Sequence, residues 1–83
     1  MAKRLSWAVR IERAKEKGRF SSKDKWLAHH NGWGTCAIGE KRGWVDAVPP
    51  EPEQTLGIAF GEAVWNNRIW EAESIYAQIQ ALP

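Results

Sequence analysis

The clearest structural signal in the sequence is the stretch LGIAFGEAVW at residues 56–65. Its apolar residues recur at i, i+3, i+4, i+7 and i+8, the spacing of one buried face on an α-helix. These residues are Leu56, Ala59, Phe60, Ala63 and Val64. The prolines of the preceding segment 48–52 cannot continue a helix, so they form a linker. The pattern predicts a helix over residues 53–65.

The apolar pattern changes phase after the pair Asn66-Asn67. Beyond it, Ile69, Ile75 and Ile79 fall out of register with the stripe of the preceding helix. Asparagine is a favoured N-cap residue because its side-chain oxygen can accept a hydrogen bond from the first helical turn. We therefore predict a separate helix over residues 68–82, with Asn67 as its N-cap.

A first helix is predicted near the N-terminus, over residues 7–17. Ser6 is a suitable N-cap and Gly18 supplies a stop. The residues expected to face the core are Trp7, Ile11 and Ala14, which recur at helical spacing.

A second helix opens at Ser21-Ser22. Asp24 stands three residues after Ser21, as in a variant of the capping box, and Phe20 is placed for a hydrophobic staple. The pair Asn31-Gly32 is expected to end this helix.

The short apolar run at residues 35–38 is consistent with a helical turn or a brief strand, and its helical neighbours favour a short helix. Arg42-Gly43 breaks it. The sequence as a whole predicts an all-α fold, a compact bundle of four to five short helices forming a single domain over residues 1–83.

Six tryptophans stand out in a chain of 83 residues. Each can bury roughly 150–250 Å², so we expect three or four of them in the core and about two at the surface. The single cysteine, Cys36, cannot form an intramolecular bridge. With no signal-like or membrane-length apolar run, an intracellular setting and no membrane partner are expected.

Charge is divided between the two halves of the chain. Residues 1–42 hold eleven of the twelve Lys and Arg and four acidic residues, a balance of +7, whereas residues 43–83 hold Arg68 and six acidic residues, a balance of −5. Such asymmetry often marks a basic contact surface.

The basic half predicts a ridge of cations along the first two helices. Arg10, Arg13 and Lys17 fall in one row on the first helix, and the positive surface continues onto the second. The candidate partner-binding residues are Arg10, Arg13, Lys17, Arg19, Lys23 and Lys25. The ridge suits a phosphate backbone or an acidic protein surface, and it is also compatible with a merely solvated face. The acidic half, residues 43–83, is the alternative surface for a partner contact and ranks after the basic ridge.

Catalysis and metal binding are not expected. The soft metal ligands are His29, His30 and Cys36, fewer than the four in close pairs that a zinc site requires. A Cys36 nucleophile would need a base and an enclosed pocket, and a small buried cysteine is the simpler interpretation. No cofactor motif is present, because Gly32-Trp33-Gly34 lacks the features of a phosphate loop.

Three segments carry a resemblance to a group of known proteins: GRF at residues 18–20 with Asp24 and Leu27-Ala28, the run WGTCAIGE at residues 33–40, and Leu56-Gly57 with Phe60, Ala63 and Val64. They resemble short proteins carried by bacteriophages and mobile elements, and the match covers most of residues 7–65. In size and two-pole charge the chain is similar to anti-CRISPR proteins.

This resemblance implies a stoichiometric inhibitor in the cytoplasm of a bacterial host cell. It would bind a CRISPR effector complex, which is a host protein or ribonucleoprotein, and block the binding of target DNA by that complex. In that case the six ridge cations would contact guide RNA, an acidic subunit surface or a surface normally used for target DNA. The alternative is a small basic accessory or regulatory protein that binds nucleic acid directly.

Overall fold

A computed structural model describes residues 5–30, 36–43 and 49–83, without the side chain of His30. Within these ranges the chain is helical, with no strand. The five helices are α1 (Trp7–Lys17), α2 (Ser22–His30), α3 (Ala37–Arg42), α4 (Glu53–Trp65) and α5 (Ile69–Gln80). The predicted all-α bundle of short helices is confirmed. Predictions concerning Asn31-Gly32, Trp33, Trp44, the residues at 34–35 and Val48 lie outside the described ranges.

The first two helices begin as their sequences predict. Ser6 accepts a hydrogen bond from the Val9 N–H at 3.3 Å, and α1 ends at Gly18, whose φ of 80° is left-handed. Ser21 accepts from the Asp24 N–H at 3.1 Å, so its hydroxyl caps α2. A carboxylate from another helix also meets α1, because both Glu40 oxygens accept from the Trp7 N–H, at 3.1 and 3.2 Å.

The expected N-cap at Asn67 is wrong. Arg68 takes the N-cap position of α5, with no side-chain capping bond. Asn67 stands one residue earlier with a φ of 61°, a left-handed conformation that asparagine tolerates better than most residues. Its side chain instead accepts a hydrogen bond from the Phe20 N–H at 2.7 Å, so it joins two turns of the fold.

The predicted apolar faces form the core. Trp7, Ile11 and Ala14 of α1 are buried, as are Phe60 and Val64 of α4. The Trp7 and Phe60 rings meet edge to face with centroids 5.0 Å apart. Other buried members of the core come from every remaining helix and from the α1–α2 connection: Phe20, Ala28, Ile38, Ala72, Ile75 and Ile79.

One of the tryptophans that the structure describes belongs to the core. Of the four described tryptophans, Trp7 is buried, whereas Trp26, Trp65 and Trp70 are 52%, 43% and 70% exposed. Three exposed tryptophans exceed the two expected. Phenylalanine and branched aliphatic residues fill the interior instead, which leaves large aromatic rings at the surface.

Glycine permits the close packing of α2 on α4. A Cβ atom placed on Gly61 would lie 2.7 Å from the carbonyl oxygen of Ala28. The two helices therefore approach closely at this crossing. The described part of the proline segment is non-helical, with Pro49 buried and a turn at Glu51-Pro52 immediately before α4.

Candidate functional site: a basic cleft between two helices

The cleft lies between α1 and α2 because these helices pack on different neighbours. Helix α1 packs against α5, and α2 packs against α4. A cavity of about 540 Å³ remains beside the connection that joins them. Its volume lies within the range of about 300–1,000 Å³ usual for ligand sites. Leu5, Ala14 and Leu27 supply its apolar lining.

Four cations surround the cleft. Arg13 and Lys17 come from α1, Arg19 from the α1–α2 connection and Lys23 from α2. All four are exposed, and none takes part in an ion pair among the described residues. We call these four residues the rim. Their convergence creates a positive potential that a partner with several negative charges would relieve.

Arg10 forms the floor of the cleft rather than part of its rim. It is only 7% exposed and forms an ion pair with Asp24, which is also 7% exposed. The Arg10 Nε donates to the carbonyl oxygen of Leu5 at 3.3 Å, and the guanidinium carbon lies 5.5 Å from the Trp7 ring centroid. The expectation that Arg10 belongs to an exposed ridge is therefore wrong. Arg10 lies at the edge of the buried face of α1, and the Asp24 carboxylate of α2 packs against it.

Lys25 also stands apart from the cleft. It follows Lys23 by two positions, and residues two apart on a helix point in different directions. Lys23 lines the cavity and Lys25 does not. The structure thus brings together five of the six predicted residues, four at the rim and Arg10 beneath them.

Aromatic rings extend along the outer face of α2. Trp26 follows the rim residue Lys23 by one helical turn, and His29 follows Trp26 by another. The His29 ring lies tilted against Trp65 of α4, with centroids 4.6 Å apart. All three rings belong to exposed residues. We call Trp26, His29 and Trp65 the aromatic strip.

The position of this strip beside the cations was not predicted from the sequence, which indicated exposed tryptophans without identifying them. The spacing of Lys23, Trp26 and His29 at three-residue intervals was the available signal, since such residues share a helix face. The contribution of Trp65 depends on the packing of α4 against α2, which no local pattern indicates.

Cys36 lies away from the cleft, at the N-cap of α3, and is 2% exposed. Burial raises the pKa of its thiol, which disfavours the reactive thiolate at neutral pH. Among the described residues no group of three or more His, Cys, Asp or Glu side chains is arranged to hold a metal ion. None of the described helices has the length and apolar character needed to cross a membrane.

No family model, curated protein or solved structure matches this chain. The class of protein is therefore defined by its own features: a small all-α domain with a cationic cleft bordered by exposed aromatic rings.

Proposed function

We propose that this protein is a non-enzymatic binding protein that holds the phosphate backbone of a nucleic acid in the basic cleft. The observation that carries the proposal is the convergence of Arg13, Lys17, Arg19 and Lys23 on one cavity. Lysine and arginine contacts with phosphates release bound counterions, which gives affinity without a requirement for base sequence.

The concave shape favours phosphates over an acidic protein surface. Cations on three consecutive segments of the chain surround a space of about 540 Å³. A narrow polyanion can enter such a space and meet several of them at once, whereas a flat protein surface reaches mainly the outermost charges. The buried Arg10–Asp24 pair is neutral overall, so the Asp24 carboxylate does not cancel the charge of the rim.

Titration of a fluorescent oligonucleotide at several salt concentrations tests this proposal. We expect log Kd to rise linearly with log salt concentration, with a slope of about 0.7–0.9 for each phosphate contacted. The double variant Arg13→Gln/Lys17→Gln should bind more weakly and show a smaller slope. A solvated face without a partner predicts no binding at low salt.

A matched control removes two cations outside the cleft, in the variant Lys41→Gln/Arg68→Gln. Lys41 donates to the carbonyl oxygen of Gln80 at 3.2 Å, and Arg68 lies 3.4 Å from Glu71. Both variants lose the same charge, so general electrostatics weakens them equally. Binding that falls equally in the two variants would contradict a specific role for the cleft.

A second candidate is inhibition of a CRISPR effector complex, in which the cleft holds guide RNA within a ribonucleoprotein. The exposed Trp26, Trp65 and Trp70 favour a partner that includes protein, because tryptophan and arginine dominate interface hot spots. Co-elution with guide-loaded type I effector complexes, followed by a target-DNA binding assay, tests this candidate. Co-elution with loss of target binding supports it. Free migration of both components argues against it.

A further inference from the structure

We infer that the cleft and the aromatic strip together form a binding site for single-stranded rather than duplex nucleic acid. This inference rests on the proposed function and specifies its substrate class. The juxtaposition of rim cations with the rings of Trp26, His29 and Trp65 carries it.

The strip begins where the rim ends. Lys23 lines the cleft, Trp26 is its i+3 neighbour on α2, and His29 is the i+3 neighbour of Trp26, so the three positions follow a path that turns by about 120° around the helix. Side chains at such positions start about 5–6 Å apart. A backbone held by Lys23 therefore brings its next bases over Trp26 and then over the His29–Trp65 pair.

Only an unpaired strand can use these rings. In a duplex the faces of the bases are stacked on each other and hidden from a flat surface, whereas an unpaired strand can turn its bases onto aromatic side chains. Base–aromatic stacking needs no particular base, since every base has a π-face. The site combines backbone charge contacts with this sequence-independent stacking.

The charged residues near Trp70 distinguish this tryptophan from the rings of the aromatic strip. Trp70 is the most exposed of the described tryptophans, at 70%, yet it lies on α5 beside Lys15, 5.4 Å from Nζ to the ring centroid. Lys15 lies on the side of α1 opposite Arg13 and Lys17, and its amine binds the Glu73 carboxylate at 2.7 Å. The cation beside Trp70 is thus already paired with a carboxylate, and Trp70 does not line the cleft.

The deciding experiment compares an oligothymidylate of about 12 nucleotides with a duplex of equal length, both fluorescently labelled. Wild-type protein should bind the single strand more tightly, and intrinsic tryptophan fluorescence should fall as bases stack. The variant Trp26→Leu should weaken single-strand binding about fivefold or more and leave duplex binding unchanged. Trp26→Phe should recover much of the loss, because a phenyl ring still stacks.

Trp70→Leu is the matched control, since it removes an exposed indole away from the rim, and it should leave affinity unchanged. Equal binding of both probes by the wild-type protein, with Trp26→Leu without effect, would overturn the single-strand inference and leave the proposed function standing. Failure of both probes to bind at low salt would overturn the proposed function itself. If Trp26→Leu is unfolded by circular dichroism, the wild-type probe preference and its fluorescence response decide the question.

Discussion

The side-chain oxygen of Asn67 accepts a hydrogen bond from the backbone N–H of Phe20 at 2.7 Å, across 47 residues of sequence. This contact ties the α4–α5 turn to the α1–α2 connection. Phe20 is fully buried, and Arg19 before it belongs to the rim. Asn67, in the C-terminal half of the chain, therefore helps to position the α1–α2 connection at the edge of the cleft.

Substitutions at Asn67 should separate its two roles. Asn67→Gly keeps the left-handed conformation but loses the hydrogen bond, and we expect a loss of about 1 kcal/mol in the free energy of unfolding. Asn67→Ala loses the bond and adds the strain of a positive φ, for a total of about 2–3 kcal/mol. Urea denaturation followed by circular dichroism measures both. Equal losses in the two variants would show that strain at this position is negligible.

Removing one partner of the buried Arg10–Asp24 pair should destabilise the protein strongly. Replacing both partners with apolar residues should destabilise it much less. Arg10→Met leaves the Asp24 carboxylate buried without its partner, and we expect a loss of about 3–5 kcal/mol in the free energy of unfolding. The double variant Arg10→Met/Asp24→Leu should recover most of this loss, because neither charge then remains in the interior.

Nucleic-acid binding provides a second test of that pair. The double variant keeps all four rim cations, so its affinity should stay close to that of the wild-type protein. A large loss of affinity in a folded double variant would mean that Arg10 itself contacts the ligand.

Gly61→Ala should destabilise the protein despite the higher helix propensity of alanine. Alanine gains about 0.8–1.0 kcal/mol in an exposed helix interior, but overpacking costs about 1–3 kcal/mol. The new methyl group would lie 2.7 Å from a backbone oxygen of α2, which cannot move without the helix. A net loss of up to about 2 kcal/mol is expected. The adjacent exposed variant Glu62→Ala should change stability by no more than about 0.5 kcal/mol. Thermal melts of both variants provide the measurement, and a more stable Gly61→Ala would refute the close crossing.

Stability should decline at alkaline pH. Burial raises the pKa of the Cys36 thiol, and burial together with the Glu40 charge raises the pKa of Tyr76. The unfolded chain therefore releases these protons at lower pH than the folded protein does. Their contribution is fully present below the unfolded pKa values and is lost as pH rises through the folded ones, from about pH 8.5 upward.

Urea denaturation at a series of pH values between neutrality and the alkaline range tests this dependence. The variants Cys36→Ala and Tyr76→Phe should each show a shallower decline than the wild-type protein, because each lacks one of the titrating groups. A wild-type protein with constant stability over this range would contradict the assignment.

Local patterns predicted most of the fold but only part of the site. The bounds of α1 and α4 follow from caps, stops and apolar spacing, all of which act within a few residues. Arg10 and Asn67 were misplaced because their partners, Asp24 and Phe20, lie 14 and 47 residues away. A helical projection shows which residues share a face, but it does not show which face another helix will cover.

The two walls of the cleft are fixed to different helices of the acidic half. Helix α1 rests on α5 and receives the Glu40 carboxylate at its first turn, whereas α2 rests on α4. A peptide comprising α1 and α2 would carry every rim cation and the Arg10–Asp24 pair, yet it would lack α4 and α5, against which the two helices pack. The cleft is therefore not expected to keep its shape in an isolated α1–α2 hairpin. A minimal fragment that keeps it must include the negatively charged C-terminal helices, although they contribute no rim cation.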